Sequence, residues 1–213
     1  YNSSDERIKS DIQDVPDNES LNKVLAIPVR KYGYKDYNGK GTERVTGFIA
    51  QEVLTVFPEA VETTGDSEIP NIYKLSTGYN YDISENKLTL DVSGISLTED
   101  IKIDSKIQLK LLNHETLFEE DIDVYLKEVN DTNIVLEYKK EIDEQNEENL
   151  KILKNKIEKT QEIFIFGSYV DNIHTVNKDK IFTIHHGAIQ EIHRIQQQEI
   201  TKIQTLQTDL SNA

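Results

Sequence analysis

The sequence predicts an α+β protein in which a small core of one hairpin and short helices is interrupted by an antiparallel β-module. Three observations predict it. The turn Asn38-Gly39-Lys40-Gly41 joins two strand-like segments. Apolar and polar residues alternate between residues 101 and 138, which is the period of half-buried strands. From Lys178 to Ser211 no proline occurs and apolar residues recur every three or four positions, as in a coiled-coil helix.

Composition narrows the classes of partner. The chain has 213 residues, enough for one large domain or two small ones, and 24 basic against 39 acidic residues give a net charge of -15. Binding to phosphates depends mainly on Lys and Arg, so we expect no nucleic acid partner and no membrane contact by this fragment. Cysteine is absent, which excludes disulfides and thiolate catalysis. Methionine is absent too, which indicates a piece of a longer polypeptide.

The first 76 residues predict the core elements. Residues 1–15 are polar and turn-rich, so we expect them to be irregular. A cap at residues 18–20 predicts a short helix that ends before Pro28. Strands at 28–37 and 44–49 form the hairpin, and a helix follows whose apolar face is Ala50, Val53 and Phe57, stopped by Pro58.

Residues 77–170 predict the β-module. Its alternating apolar positions are Ile101, Ile103, Ile107, Leu109, Leu111, Ile122, Val124, Leu126, Ile134, Leu136 and Tyr138. Turns separate these strands, which indicates a small antiparallel sheet or barrel, closed by a strand at 162–166. Residues 141–160 are almost wholly polar, with a helical stripe of Leu150, Leu153 and Ile157, and predict an exposed, partly helical excursion.

Residues 171–213 return to the core and form the long helix. Its apolar positions include Ile181 and Ala188, and the spacing breaks near Gln196 and Glu199. Isoleucine at seam positions favours three strands over two. We therefore predict a homotrimer whose seam is Ile192, Ile195, Ile203, Leu206 and Leu210.

Few residues have a spacing typical of a metal, phosphate or catalytic site. The five histidines have no spacing typical of a metal site, and no Gly-rich phosphate loop occurs, so no metal and no cofactor are predicted. Ser4 and Lys9 offer a hydroxyl and an amine five positions apart. Five residues place two side chains about 140° apart on a helix and on opposite faces of a strand. A Ser-Lys dyad therefore has to close over a turn or across a subunit boundary.

Two motifs in order give these residues a context. The run Ser4-Asp5-Glu6-Arg7-Ile8-Lys9, followed by Gly47-Phe48-Ile49-Ala50-Gln51-Glu52-Val53 and Phe57-Pro58-Glu59, resembles the peptidase S74 family. These are intramolecular chaperone, auto-processing domains of phage endosialidase tailspikes, other fibres and myelin regulatory factor. The resemblance extends over residues 3–76 and 171–206, and the insertion at 77–170 resembles S74 domains in fibre-like proteins of large DNA viruses.

The resemblance implies a trimeric chaperone that assists an upstream fibre region of the same polypeptide and then cuts itself free. Carried onto this chain, Ser4 is the nucleophile, Lys9 the general base, and the bond between Ser3 and Ser4 the cleavage site. A lysine removes a hydroxyl proton at neutral pH only when burial or a neighbouring cation lowers its pKa. Arg7 is the candidate cation. Asp5 and Glu6 would have the opposite effect on the lysine pKa unless these carboxylates face solvent or pair with Arg7. Gln51 and Glu52 are the candidate supporting residues of the catalytic site. The alternative for both is a purely structural role, such as helix capping or a subunit contact. If the source is viral, the place of action is the virion or the host cell during virus assembly.

Two alternatives remain open. One is a non-enzymatic trimerisation and capping module whose β-insert binds a receptor or partner. The other is a processing domain that releases a membrane-tethered transcription factor. What lies upstream of this sequence would separate fibre from regulator, and a change of mass on folding would separate cleavage from capping.

Overall fold

The computed structural model describes residues 4–94, 97, 101–138 and 147–212. Two compact units divide them. The first unit comprises the described parts of residues 1–32, 45–63 and 174–213, and the second unit those of 33–44 and 64–173. The fold is α+β with antiparallel sheets and a long C-terminal helix, as predicted. In chain order the helices and strands are α1 (Asp17–Ala26), β1 (Arg30–Tyr32), α2 (Tyr37–Lys40), β2 (Val45–Gly47), α3 (Ala50–Val56), β3 (Val61–Thr64), β4 (Ser67–Ile69), β5 (Lys74–Leu75), β6 (Gly78–Asp82), β7 (Lys87–Asp91), β8 (Lys106–Asn113), β9 (Phe118–Val129), β10 (Asn133–Glu137), α4 (Glu147–Glu158), β11 (Glu162–Val170), β12 (Ile173–Val176) and α5 (Lys178–Ser211).

The predicted hairpin exists, with shorter strands than the sequence indicated. β1 pairs antiparallel with β2, Arg30 opposite Gly47 and Tyr32 opposite Val45. Tyr37, which we expected in the first strand, instead begins the helical turn α2. The Asp36 carboxylate causes the difference, because it accepts a hydrogen bond from the Gly39 N–H at 2.8 Å and closes that turn.

Apolar residues from α3, from α5 and from the segments that follow α1 and α3 form the core of the first unit. Its buried members are Ile27, Val53, Phe57, Ala60, Ile181 and Ile184. Val53 is fully buried, as the predicted apolar face requires. α3 ends at Val56, ahead of Pro58, as predicted.

A close approach joins α1 to α5. α1 begins at Asp17 with Pro16 at the cap position, so the predicted cap at residues 18–20 is wrong by about one turn. Ser20 is buried there and lies against Gly187, where an added Cβ would be 2.7 Å from the Ser20 Oγ. Glycine costs an α-helix about 1 kcal/mol relative to alanine, and here it admits the neighbouring helix.

The strands of the second unit close into a barrel. The sheet order is β4-β11-β8-β9-β10-β7-β6, and β5 pairs with β11 at the same time. β5 leads into β6 through Ser76, whose N–H donates to the Ile163 carbonyl. The hydrogen-bonded ladder therefore returns to β11, which agrees with the predicted sheet or barrel.

The predicted alternation fills the barrel interior. Its buried positions include Ile107, Leu109, Leu111, Ile122, Val124, Leu126, Ile134, Leu136, Ile163 and Ile165. Ile103 is exposed and precedes β8, so this strand begins later than the pattern indicated. Tyr138 follows the end of β10 and lies outside any strand.

The charged excursion is the main correction in this unit. Residues 141–146 and the side chain of Leu150 lie outside the described residues. α4 is a helix of 12 residues, and Leu153 and Ile157 are buried in the barrel core at 1% and 6% exposure. The expectation of a solvated excursion is therefore wrong for this helix, because its narrow apolar stripe packs inward.

α5 is a single helix of 34 residues, as predicted. The side chain of Asn177 caps its start by accepting hydrogen bonds from the N–H groups of Asp179 and Lys180. Among the described helices, none is both long enough and apolar enough to cross a membrane.

Candidate functional site

A short turn separates Ser4 from Lys9. Residues Glu6–Ile8 form one turn of 3-10 helix, and the Asp5 side chain caps it by accepting a hydrogen bond from the Arg7 N–H at 2.9 Å. The Lys9 N–H donates to the Glu6 carbonyl at 3.0 Å and closes the turn. Ser4 and Lys9 thus flank a turn and share neither an α-helix nor a strand.

The charges on this turn are paired with each other. The Arg7 guanidinium donates to both carboxylate oxygens of Asp5, at 3.0 and 2.6 Å. These hydrogen bonds hold the pKa of Asp5 below its ordinary value and raise the pKa of Arg7. The Asp5 charge is therefore balanced by Arg7, which was one of the two arrangements that the dyad requires.

The single chain does not join the two dyad residues. Ser4 and Lys9 are both exposed. Neither side chain makes a hydrogen bond to another residue within the described part of the chain. Ser3, the residue before the predicted cleavage point, lies outside the described residues.

Gln51 and Glu52 lie in the first turn of α3. Gln51 is exposed. Glu52 accepts two hydrogen bonds from the Arg30 Nε, both at 3.0 Å, and one from its Nη2 at 2.6 Å. These bonds lower the pKa of Glu52. This carboxylate connects α3 to β1, which is a structural role.

α5 presents a stripe of exposed apolar residues. Ile192, Ile203, Leu206 and Leu210 are 44%, 53%, 67% and 80% exposed. The same three-and-four spacing runs back from Ile192 to Ile189 and Phe182, which are 65% and 75% exposed. We call these positions the seam, defined by Phe182, His185, Ile189, Ile192, Gln196, Glu199, Ile203, Leu206 and Leu210.

Sequence reasoning missed Phe182 and Ile189 because a second apolar stripe on α5 has the same spacing. Ile181 and Ala188 belong to that second stripe and are buried in the first unit. Ile195 lies seven residues after Ala188 on this buried side and is 38% exposed, less than its predicted partners in the seam. The two stripes have the same spacing and differ only in the residue at which each begins, Ile181 for the buried stripe and Phe182 for the exposed one.

No described group of three or more His, Asp or Glu side chains is arranged to hold a metal ion. The histidines of α5 include His185, whose Nδ1 lies 2.8 Å from the Ile181 carbonyl oxygen within the same helix.

Comparisons with known proteins agree with the motifs. Residues 4–62 match the family model Peptidase S74, described as chaperone of endosialidase. The chain is also 29% identical over 201 residues to "Uncharacterized protein VP1" of Micromonas pusilla reovirus (isolate Netherlands/2005). That alignment covers 84% of this chain, and the chain spans about a tenth of the length of that relative.

The family match spans both motifs, whose residues lie in the first unit. The relative is viral, whereas a large DNA virus as the source stays a prediction. The predicted resemblance to peptidase S74, the chaperone of endosialidase family, is confirmed for residues 4–62.

Proposed function

We propose that this chain is an intramolecular chaperone that trimerises, assists the folding of a fibre region upstream in the same polypeptide, and releases itself by one self-cleavage between Ser3 and Ser4. The observation that carries this proposal is the family match over residues 4–62. The viral relative is in keeping with a role in the virion or in the infected cell during assembly.

The seam supports assembly. A helix that leaves Leu206 and Leu210 more than half exposed gains stability when copies of the chain cover them. Full burial of one leucine side chain contributes about 1.5–3 kcal/mol, and a trimer repeats this contribution three times. The polar layer at Gln196 and Glu199 would fix the register of the helices at some cost in stability.

The turn at Glu6–Ile8 supports a chemical role for Ser4 and Lys9, which lie on either side of it. In the proposed step the Ser4 Oγ attacks the carbonyl carbon of Ser3, and Lys9 accepts the hydroxyl proton. The C–N bond breaks, the proton passes to the Ser4 amine, and an ester joins Ser3 to the Ser4 Oγ. Water then hydrolyses the ester to a Ser3 carboxylate and a free Ser4 hydroxyl.

Assembly would complete this site. A lysine base needs burial or a nearby cation, and Lys9 is exposed in the single chain. A neighbouring subunit that covers the turn would remove water from Lys9 and press it towards Ser4. Cleavage would then follow folding and trimerisation, so the chaperone would leave only a finished fibre.

The test uses a longer polypeptide that includes the upstream region. The unmodified protein should yield two fragments on folding, with a new N-terminus at Ser4, whereas Ser4→Ala and Lys9→Ala should stay whole yet form trimers. Ser10→Ala and Lys40→Ala, which remove the same groups from other exposed positions, should cleave normally. Cleavage in Ser4→Ala, or a cut elsewhere, would refute the assignment.

The alternative is a capping module without enzymatic activity, whose β-insert binds a receptor or partner. The exposure of both dyad residues in the single chain favours it. In that case the unmodified protein would stay whole after trimerisation, and deletion of the seam would prevent folding of the upstream region without any change in covalent mass.

A further inference from the structure

The second unit contains a cavity that the proposed function does not use. Its volume is about 410 Å³, within the range of about 300–1,000 Å³ that is usual for small-molecule sites. It lies between the hairpin tip, residues 33–44, and the outer surface of the barrel. Its walls include Asp36, Tyr73, Lys110, Glu119, Phe164 and Phe166.

Aromatic rings that lie outside the barrel core form the apolar wall of the cavity. On β11 the side chains of Ile163 and Ile165 point inward and are fully buried, so Phe164 and Phe166 project outward. Both phenylalanines are half-buried. The Tyr73 ring packs edge-on against them, with centroids 4.9 and 5.7 Å apart.

Tyr73 is held in a strained conformation at the base of this cavity. Its φ of +50° is one that bulky residues rarely adopt. Its hydroxyl donates to the Asp36 Oδ1 at 2.7 Å and accepts a hydrogen bond from the Asn38 N–H at 3.2 Å. Strain of this kind persists where the surroundings enforce it and is concentrated at functional sites. Here it fixes a carboxylate and an amide beside an aromatic wall.

The charges around the cavity disfavour an anionic ligand. Lys110 is paired with Asp121 at 2.9 Å and lies 3.7 Å from Glu119. The hydrogen bond from Tyr73, and next the one from the Gly39 N–H, lower the pKa of Asp36 and keep it ionised. Two carboxylates and one lysine line the walls, so an anionic ligand would meet a net negative charge.

A ligand that fits has apolar faces for the rings and hydroxyl groups for Asp36, Asn38 and Lys110. The geometry points to a neutral saccharide, which presents C–H faces on one side and hydroxyls at its edge. The carboxylate accepts hydrogen bonds from sugar hydroxyls, the lysine donates them, and Phe164 and Phe166 receive the ring face. This binding site would make the second unit a glycan-recognition module, independent of whether Ser4 cuts the chain.

The experiment measures binding of neutral oligosaccharides and of their sialylated counterparts to the full chain by saturation-transfer NMR. Neutral oligosaccharides should bind, and both Asp36→Asn and Phe164→Ala should weaken binding at least about tenfold. Asp36→Asn retains the shape of the side chain, so it remains informative if Phe164→Ala disturbs folding. Tyr125→Ala, an aromatic residue of β9 outside the cavity walls, should bind as the unmodified protein does.

Three outcomes would overturn the proposal. Absence of binding by every neutral oligosaccharide at concentrations up to about 10 mM would exclude a saccharide site. Equal or tighter binding of sialylated oligosaccharides would refute the charge argument. Unchanged binding in both cavity variants would place the site elsewhere. Because none of these readings depends on cleavage, failure here leaves the proposed self-processing intact, and the reverse also holds.

Discussion

The guanidinium of Arg7 closes onto the carboxylate of Asp5 with a 2.6 Å ion pair on the turn that separates Ser4 from Lys9. This pair removes one negative charge from the surroundings of the proposed base. Without it, Asp5 and Glu6 would both stabilise a protonated lysine and so oppose proton transfer.

We therefore predict that Arg7→Ala slows self-cleavage about tenfold at pH 7 and that the rate recovers as the pH rises, because deprotonation of the base then becomes easier. Cleavage rates across pH, measured on the longer polypeptide, test this. Asp5→Asn combined with Arg7→Ala should restore part of the rate, since it deletes the charge that Arg7 balanced. A rate loss that is equal at every pH would instead indicate damage to the turn.

Because the trimer is proposed to form through the seam, we predict that a single charged substitution there prevents assembly. Leu206→Asp places a carboxylate at a position that three helices would bury, which is unfavourable by several kcal/mol. Sedimentation analysis should show trimers for the unmodified chain and monomers for this variant. Thr201→Asp, on the opposite side of α5, should leave the trimer in place. If Leu206→Asp still sedimented as a trimer, assembly would have to use another surface.

Extension of the seam towards the start of α5 is a separate prediction. Phe182→Ala should lower trimer stability by about 1–3 kcal/mol, because its ring is 75% exposed in the single chain and lies in the same repeat as Leu206. The measurement is the concentration dependence of thermal unfolding. An unchanged concentration dependence would show that the trimer contacts begin farther along the helix.

We predict that alanine at position 187 destabilises the protein, although alanine favours a helix more than glycine does. The added Cβ would lie 2.7 Å from the Ser20 Oγ and 2.9 Å from its Cβ. Overpacking costs about 1–3 kcal/mol, against a gain in helix propensity of about 1 kcal/mol. Gly187→Ala should thus lower the free energy of unfolding by up to about 2 kcal/mol at fixed protein concentration. Gln190→Ala serves as the control on an exposed face, and Ser20→Gly added to Gly187→Ala should recover the loss.

Glu191 predicts a loss of stability in acid. Its side chain is buried and accepts hydrogen bonds from Arg194 at 2.7 and 2.6 Å, which hold its pKa below the ordinary value of 4.5. A lowered pKa in the folded state contributes stability above the unfolded value, and this contribution disappears as the pH falls through the folded value. The free energy of unfolding should therefore decline below about pH 4.5.

The matched variants separate this group from the other carboxylates. Glu191→Gln should reduce stability at pH 7 and flatten the decline in acid. Asp209→Asn, on the same helix but exposed and outside the seam, should keep the decline unchanged. A decline of equal steepness in all three proteins would assign the acid sensitivity to other carboxyl groups.

Local patterns predicted most of the fold. The alternation of Leu109 and Leu111 with polar neighbours could only place them inside a sheet, and Pro58 could only stop a helix. The pattern failed where a few side chains decide. Asp36 turned a predicted strand end into a helical turn through one hydrogen bond to Gly39, and Leu153 became a core residue because α4 packs inward.

The candidate site was predictable in part. The motif around Ser4 identified the family segment. The spacing argument required either a turn or a subunit boundary between Ser4 and Lys9, and the structure has a turn there. The engagement of Glu52 by Arg30 was not predictable, because these residues lie 22 positions apart. Nor was the aromatic cavity, which combines Asp36, Tyr73 and Phe164 from three distant segments.

The pairing of β3 with β12 has a consequence for the evolution of this architecture. The chain leaves the first unit after β3 and returns through β12, its hydrogen-bonded neighbour. The entropy lost in closing a loop rises only slowly with its length, and this ladder already fixes both ends of whatever lies between. Segments of very different size can therefore be accommodated at this junction, while α5 and the turn at Glu6–Ile8 keep their places in the first unit.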